Sequence, residues 1–318
     1  MDMTINFLVA AALAGTPLLF GTLGEILNER SGHLNLGVEG MMALGACGGF
    51  MAGYFTDSLF LALVFAFLAG LGGALIYAVL TVTFLANQNV TGLTLSIFGV
   101  GLANFFGEYM LNFSETNTLK LPDRILGQMT AVKIPVLSDL PILGPLLFQY
   151  NPFVYLGILV AILCALYLNR TKIGLNLKAV GENPAAADAV GIKVTKMKYI
   201  NILIGGGICG IGGAYTSMII NGGVWMSNSV NGMGWIAVAL VIFASWSPMR
   251  AIFGSFIFGA FNVLKYYMPR TWFTLPNAFY DMLPFIITAV VLIMTSIRKS
   301  KENAQPASCG VNYFREER

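Results

Sequence analysis

Charge is what this chain has least of. Only 10% of its 318 residues are Asp, Glu, Lys or Arg, against roughly one quarter in soluble domains, and no stretch could form a separate soluble enzyme domain. Histidine occurs once, at His33, which is expected at a loop surface; with no His-Glu-x-x-His pair there is no zinc-hydrolase ligand set. Cys47, Cys164 and Cys209 lie in apolar segments and Cys309 in a tail. They lack metal or disulfide spacing and read as small core residues. The Gly-x4-Gly-Lys-Ser/Thr phosphate loop is absent, so the chain does not bind ATP by that device. No nucleophile, base and orienting group can be assembled from spacing, and no arginine ladder or selectivity-filter motif suggests an ion channel. Nothing marks a nucleic-acid partner.

What is present is apolar: 57% hydrophobic residues and a mean hydropathy of +0.75. The expected fold is all-α, a polytopic protein of the lipid bilayer, and the length permits about nine or ten helices of roughly 20 residues. Spans are predicted at Asn6–Leu27, Leu36–Phe55, Ser58–Ala86, Val90–Leu111, Pro152–Asn169, Tyr199–Ile220, Gly234–Trp246, Ala251–Met268 and Ala278–Ile297. Gly70, Gly72 and Gly73 inside the third allow close approach of a neighbouring helix. The interval 112–150 carries Pro122, Pro135, Pro141 and Pro145, which argue against a regular span. Six lysines and arginines between Arg170 and Lys198, and Arg298, Lys299 and Lys301 in the tail, orient the chain by the positive-inside rule. Residues 170–198 and 298–318 are then cytoplasmic, 112–150 extracytoplasmic and the N-terminus outside. A re-entrant segment near Gly222–Gly234 would change the count of crossings.

A weak internal repeat relates Asn35-Leu36-Gly37 with Glu39 and Met41 to Asn231-Gly232-Met233-Gly234, each leading to a glycine-rich span. The second copy begins on the opposite side from the first, which makes the repeat inverted, with broken helices and a pathway near mid-membrane. Polar residues inside spans are costly unless they face protein or water. Asn35 and Glu39 open the second span, Asn89 and Thr91 open the fourth, Asn104 and Glu108 share a face of it, and Asn228, Asn231 and Trp235 surround the proposed break. Amides and an indole suit a ribose or a base. The same residues serve equally as caps and interhelical ties, and for Glu39 the cap or tie is the preferred reading.

Between the apolar segments, Asn183 reads as an N-cap, Pro184 as the first helical position and Gly191 as the stop of a two-turn helix with an alanine face. The run Gly174, Leu175, Leu177, Lys178, Ala179, Val180, Gly181, Glu182, Asn183, Pro184, with Ala186, Ala187, Gly191 and Ile192, resembles the cytoplasmic loop of ABC-importer permeases of the branched-chain amino acid, ribose and nucleoside group. The block Gly24, Glu25, Asn28, Glu29, Arg30, Ser31, Gly32, Leu34, Asn35, Leu36, Gly37, Glu39, Gly40 and Met41 is similar to the nucleoside and simple-sugar branch. The resemblance implies that residues 1–318 form one permease domain carrying nucleosides or a related simple sugar. It makes Gly181, Glu182, Asn183, Pro184, Ala185, Ala186 and Ala187 the element that docks on an ATP-binding subunit, a tandem-cassette chain. It also implies a second, homologous permease subunit and an extracytoplasmic substrate-binding protein or lipoprotein. No cofactor is expected on this chain; ATP and Mg belong to the partner ATPase. A branched-chain amino acid permease and a secondary transporter are the alternatives.

Overall fold

The computed structural model describes residues 3–113, 118–132, 138, 143–267, 276–298 and 304–314. Lys299, Lys301 and Met268, with Glu115, Lys133, Pro135, Asp139 and Pro141 of the long interval, lie outside the described residues. Among these residues the structure is helical, with one isolated antiparallel bridge between Lys120 and Val224.

In chain order the long helices are α1 (Met3–Arg30), α2 (Val38–Thr56), α3 (Leu59–Ala78, continued by a π-helical turn over Val79–Thr83) and α4 (Gln88–Leu111). Two short helices follow, α5 (Asp123–Gln128) and α6 (Leu143–Leu147), and then α7 (Pro152–Arg170), α8 (Lys172–Glu182) and α9 (Pro184–Ala189). The remainder is α10 (Val194–Tyr215, with a π-helical turn over Thr216–Ile220), α11 (Met233–Phe243), α12 (Pro248–Tyr267) and α13 (Asn277–Arg298). Polar residues start these helices by accepting from exposed amides. Asn87 Oδ1 takes the Val90 N–H at 3.0 Å, Asn151 Oδ1 takes the Val154 N–H at 3.2 Å ahead of Pro152, and Thr171 Oγ1 takes the Gly174 N–H at 3.0 Å. Each cap satisfies a donor that the helix cannot.

Among the described residues, five helices are long and apolar enough to cross a membrane: Met3–Arg30, Leu59–Thr83, Gln88–Leu111, Pro152–Arg170 and Val194–Ile220. The segment expected as a span at Gly234–Trp246 is different. Its helix has 11 residues, about 16 Å at 1.5 Å per residue, half of the ~30 Å hydrocarbon thickness. The irregular run 221–232 precedes it, so the segment forecast as a break near Gly222–Gly234 is non-helical and leads into a helix of half length.

α1 is buried from Ala14 to Glu29 and forms the centre together with α10. α12 lies along α1, and α3 lies along α10. If α2 corresponds to α11, as the sequence repeat suggests, then α1 corresponds to α10 and α3 to α12, and the two contacts are one contact used twice. The copies run in opposite directions. α2 ends where Gly53 meets Leu121 and Ile125, whereas α11 ends where the Arg30 guanidinium donates to the Trp246 carbonyl at 3.2–3.3 Å.

Backbone proximity sets this arrangement. A Cβ on Gly70 would stand 2.3 Å from the Gly206 carbonyl oxygen, and one on Gly210 would stand 2.2 Å from that of Ala66. Gly73 sits against Leu44, but Gly72 faces open space and takes no part in the contact. His33 is also not where a loop residue was expected. It is 1% exposed, edge-on to Tyr77 at 6.4 Å, because the α1–α2 connection is tucked into the protein. Burial and the neighbouring Lys198 charge hold its pKa well below the ordinary imidazole value, so it stays neutral.

Gly70→Ala is expected to destabilise the detergent-purified protein by about 1–3 kcal/mol through overpacking. Gly72→Ala should be neutral or stabilising by up to about 1 kcal/mol from helix propensity. Thermal unfolding of the two variants, compared side by side, checks the assignment.

Candidate functional site

At the half-helix, the first N–H groups of α11 have no carbonyl within the helix to bond. Glu39, in the first turn of α2, supplies the acceptors: its Oε1 takes the Gly232 N–H and its Oε2 takes the Gly234 N–H, both at 2.7 Å. Two helix N-termini from the two halves thus meet head to head around one carboxylate, which the positive ends of both dipoles favour. The approach requires Gly234, whose hypothetical Cβ would lie 2.5 Å from the Glu39 Cα. To reach it the chain takes left-handed backbone at Asn228 (φ 57°), Asn231 (φ 48°) and Gly232 (φ 84°). Asn tolerates this conformation better than most residues and Gly freely.

Beside this joint is a cavity of about 210 Å³ lined by Glu39, Asn104, Trp225, Asn228, Ser229 and Asn231, with alanine and valine side chains of α2 and α4. Asn104 Nδ2 donates to Asn228 Oδ1 at 2.9 Å, and the Asn228 N–H donates to Asn104 Oδ1 at 2.8 Å, a reciprocal clasp between α4 and the 221–232 run. Trp225 is 8% exposed, tilted against Phe50 with ring centroids 5.4 Å apart, and its indole N–H has no partner among the described residues. A second cavity, of about 640 Å³, lies on the other side of Asn231 and Gly232 and is lined by Trp235, Asn262, Lys265 and Tyr280.

The structure therefore brings Glu39, Asn104, Asn228 and Asn231 to one cavity and puts Trp235 on its neighbour. The other four candidates stand elsewhere. Asn35 is fully buried and its Oδ1 accepts the Gly37 N–H at 2.9 Å, shaping the entry to α2. Asn89 is exposed and Thr91 buried near the start of α4, whose cap is Asn87. Glu108 is exposed and lines neither cavity. Trp225 and Ser229 were missed, although both fall inside the interval flagged as a break. Also missed were the carboxylates of Glu25 and Glu29, 0% and 2% exposed, which bind the Asn28 side chain with the Asn35 N–H and the Trp246 indole respectively.

The second candidate site is the corner at residues 172–191. Asn183 ends α8 and caps α9: its N–H donates to the Ala179 carbonyl, and its Oδ1 accepts from Ala186 N–H at 3.0 Å, with Pro184 as the first helical residue. Gly191 closes the turn at φ 88°, a conformation open to glycine. Ala187 is buried against Val180 and Val194. Glu182, Asn183, Ala186 and Val190 are exposed, Val190 by 78%. Gly181 lies against the Arg30 backbone, where a Cβ would stand 2.4 Å from the carbonyl oxygen. Lys178 donates to Asn169 Oδ1 at 2.7 Å, and partial burial, followed by the nearby Arg30 charge, lowers its pKa.

Glu39→Ala leaves the buried Gly234 amide and the half-buried Gly232 amide without their acceptors and is expected to lower stability by about 1–3 kcal/mol, whereas Asn89→Ala should be silent. Thermal unfolding of both in detergent reads the difference.

The family described as the branched-chain amino acid transport system / permease component matches residues 7–292. The chain is 37% identical to "Putative glucose ABC transporter permease protein TsgC13" of Haloferax volcanii, over 83% of this chain and 78% of that protein. It is 32% identical to the nucleoside ABC transporter permease protein NupC of Lactococcus lactis, over 98% of each. The guanosine ABC transporter permease protein NupQ of Bacillus subtilis is 31% identical over 91% of each. A helical chain with this half-helix joint and this capped corner, matched along nearly its whole length, belongs to the permease-component family of branched-chain amino acid transport systems and is a multi-pass membrane transport subunit of the ABC kind.

Proposed function

We propose that this permease imports nucleosides, and that the cavity beside the Glu39 joint is where the cargo is held. The supporting observation is the chemistry of its lining. Amides, a hydroxyl and an indole are present, and the one carboxylate already accepts from two backbone amides. Such a surface favours a neutral cargo rich in hydroxyls and ring nitrogens. A zwitterionic amino acid would need an anion site, and the half-helix N-terminus that could provide one is occupied by Glu39. Two of the three relatives above carry nucleoside or guanosine in their names; the third carries glucose, which a similar neutral lining would also suit.

A permease of this family works with an ATP-binding subunit and a substrate-binding partner. We read the ATP-binding subunit as a tandem-cassette chain holding ATP and Mg, with a second homologous permease beside this one and an extracytoplasmic binding protein or lipoprotein delivering cargo. In this reading residues 170–198 are cytoplasmic, the N-terminus is outside and the C-terminus inside, following the lysine and arginine bias. Closure of the cassettes pushes α9. The corner moves as a unit because Asn183 fixes the angle between α8 and α9, and the displacement switches access between the two sides.

Proteoliposomes holding the complete transporter should take up labelled purine nucleosides when ATP is inside, and unlabelled ribose, glucose or leucine should compete poorly. Transport of a sugar or leucine with no nucleoside uptake would reject the cargo. Glu182→Arg and Pro184→Asp should leave the amount of inserted permease unchanged and separate ATP hydrolysis from uptake; wild-type coupling in both would reject the lever.

A further inference from the structure

The tail returns to the coupling corner after α13. Over residues 304–314 it touches two places that are far apart in sequence. On one side it grips the corner. The Ser308 N–H and Oγ both donate to the Gly181 carbonyl, at 3.0 and 2.5 Å, and the Tyr313 hydroxyl donates to Asp188 Oδ2 at 2.9 Å. The Tyr313 ring adds to the small apolar cluster of Val180, Ala187 and Val194 beneath α9.

On the other side the tail grips the link between α3 and α4. Asn312 Nδ2 donates to the Leu85 and Ala86 carbonyls at 2.5 and 3.2 Å, and Asn312 Oδ1 accepts from Gln88 Nε2 at 3.1 Å. Leu85 carries φ 55°, so the turn held by Asn312 is in a strained conformation for a residue with a Cβ.

The contacts continue inward. Gln88 is 2% exposed, and its Oε1 accepts the Leu34 N–H at 2.9 Å, while the Leu34 carbonyl accepts the Tyr77 hydroxyl at 2.7 Å. Leu34 precedes Asn35, whose side chain sets the entry to α2 and hence the position of Glu39. Asn312 and Tyr313 are adjacent residues, at most about 3.8 Å apart between Cα atoms. The tail therefore joins α9 to the connection that leads into α2 by a short run of hydrogen bonds, Tyr313 facing the corner and Asn312 facing the α3–α4 link.

We propose that the tail is a coupling strut: Asn312 and Tyr313 are positioning residues that carry the displacement of α9 through Gln88 and Leu34 to the head of α2. This rests on the reading of α9 as the ATPase-driven lever. The test measures energetic coupling itself. The complete complex in proteoliposomes is assayed for ATP hydrolysis and nucleoside uptake in the same vesicles, for wild type, Asn312→Ala, Gln88→Glu and the double variant. Gln88→Glu keeps the oxygen that accepts Leu34 N–H and removes the donor to Asn312.

The strut predicts that each single variant loses uptake per ATP by at least about fivefold, the lower end of coupling between sites, while hydrolysis stays within about twofold of wild type. The double variant should be no worse than the worse single variant, as residues of one shared path are non-additive. Unchanged uptake per ATP, or losses that add, would overturn the proposal. Tyr313→Phe removes only a hydroxyl and provides the same readout if Asn312→Ala fails to assemble; full coupling in it would then count against the strut. A wild-type complex that hydrolyses ATP without driving uptake would instead overturn the lever reading, and the strut with it.

Discussion

The interaction on which the structure depends is the grip of one carboxylate on two backbone amides. Glu39 and the N-terminus of α11 each pose a problem inside an apolar slab. An ionised side chain has no water to solvate it, and a helix start has donors without acceptors. At 2.7 Å each solves the other. Because the carboxylate comes from the first half of the chain and the amides from the second, this local solution also joins the two halves. It occurs where both helices begin, with α11 only 11 residues long, and a cavity remains beside the joint.

Glycine makes the joint accessible. Glu39 reaches α11 only because Gly234 presents no side chain, and the long helices around it close in because Gly70, Gly206 and Gly210 present none. With little hydrophobic force between helices in lipid, close backbone packing supplies much of what holds them together. The same economy appears at the corner, where Gly181 lies against the end of α1 and connects the outer lever to the central helix. The central helices are therefore tightly packed, and the corner of α8 and α9 is held at a fixed angle by Asn183, whereas Asn228–Gly232 is an irregular run with left-handed backbone. Motion is expected where rigid elements pivot about a few such residues.

Much of this was legible in the sequence for a physical reason: apolar runs, proline and caps act locally. The nine expected spans each overlap a helix, and the Asn183-Pro184 start and Gly191 stop fell as read, since an N-cap and a left-handed stop depend on neighbours only a few residues away. α8 was missed as a helix although Gly174, Leu177, Val180 and Gly181, its buried residues, recur at helical spacing; the basic residues around them drew attention to solvent. The short α11 was foreshadowed by the break near Gly222–Gly234, but its pairing with Glu39 was not, because the carboxylate comes from a segment 193–195 residues away. His33 was misplaced because burial of a short polar connection is decided by Tyr77 and Lys198, distant in sequence. The roles of Trp225 and Asn312 required knowing which segments return to which, information that exists only in three dimensions.

The central claim is that a neutral polar cargo is held beside a carboxylate already committed to the backbone. A structure of the complete transporter with a bound purine nucleoside tests it most directly. The account predicts the nucleoside against Asn104, Trp225 and Asn228, with Glu39 still accepting from the Gly232 and Gly234 amides. A nucleoside seated only in the cavity of Asn262 and Lys265, or one that draws Glu39 away from α11 to bind it, would contradict the account.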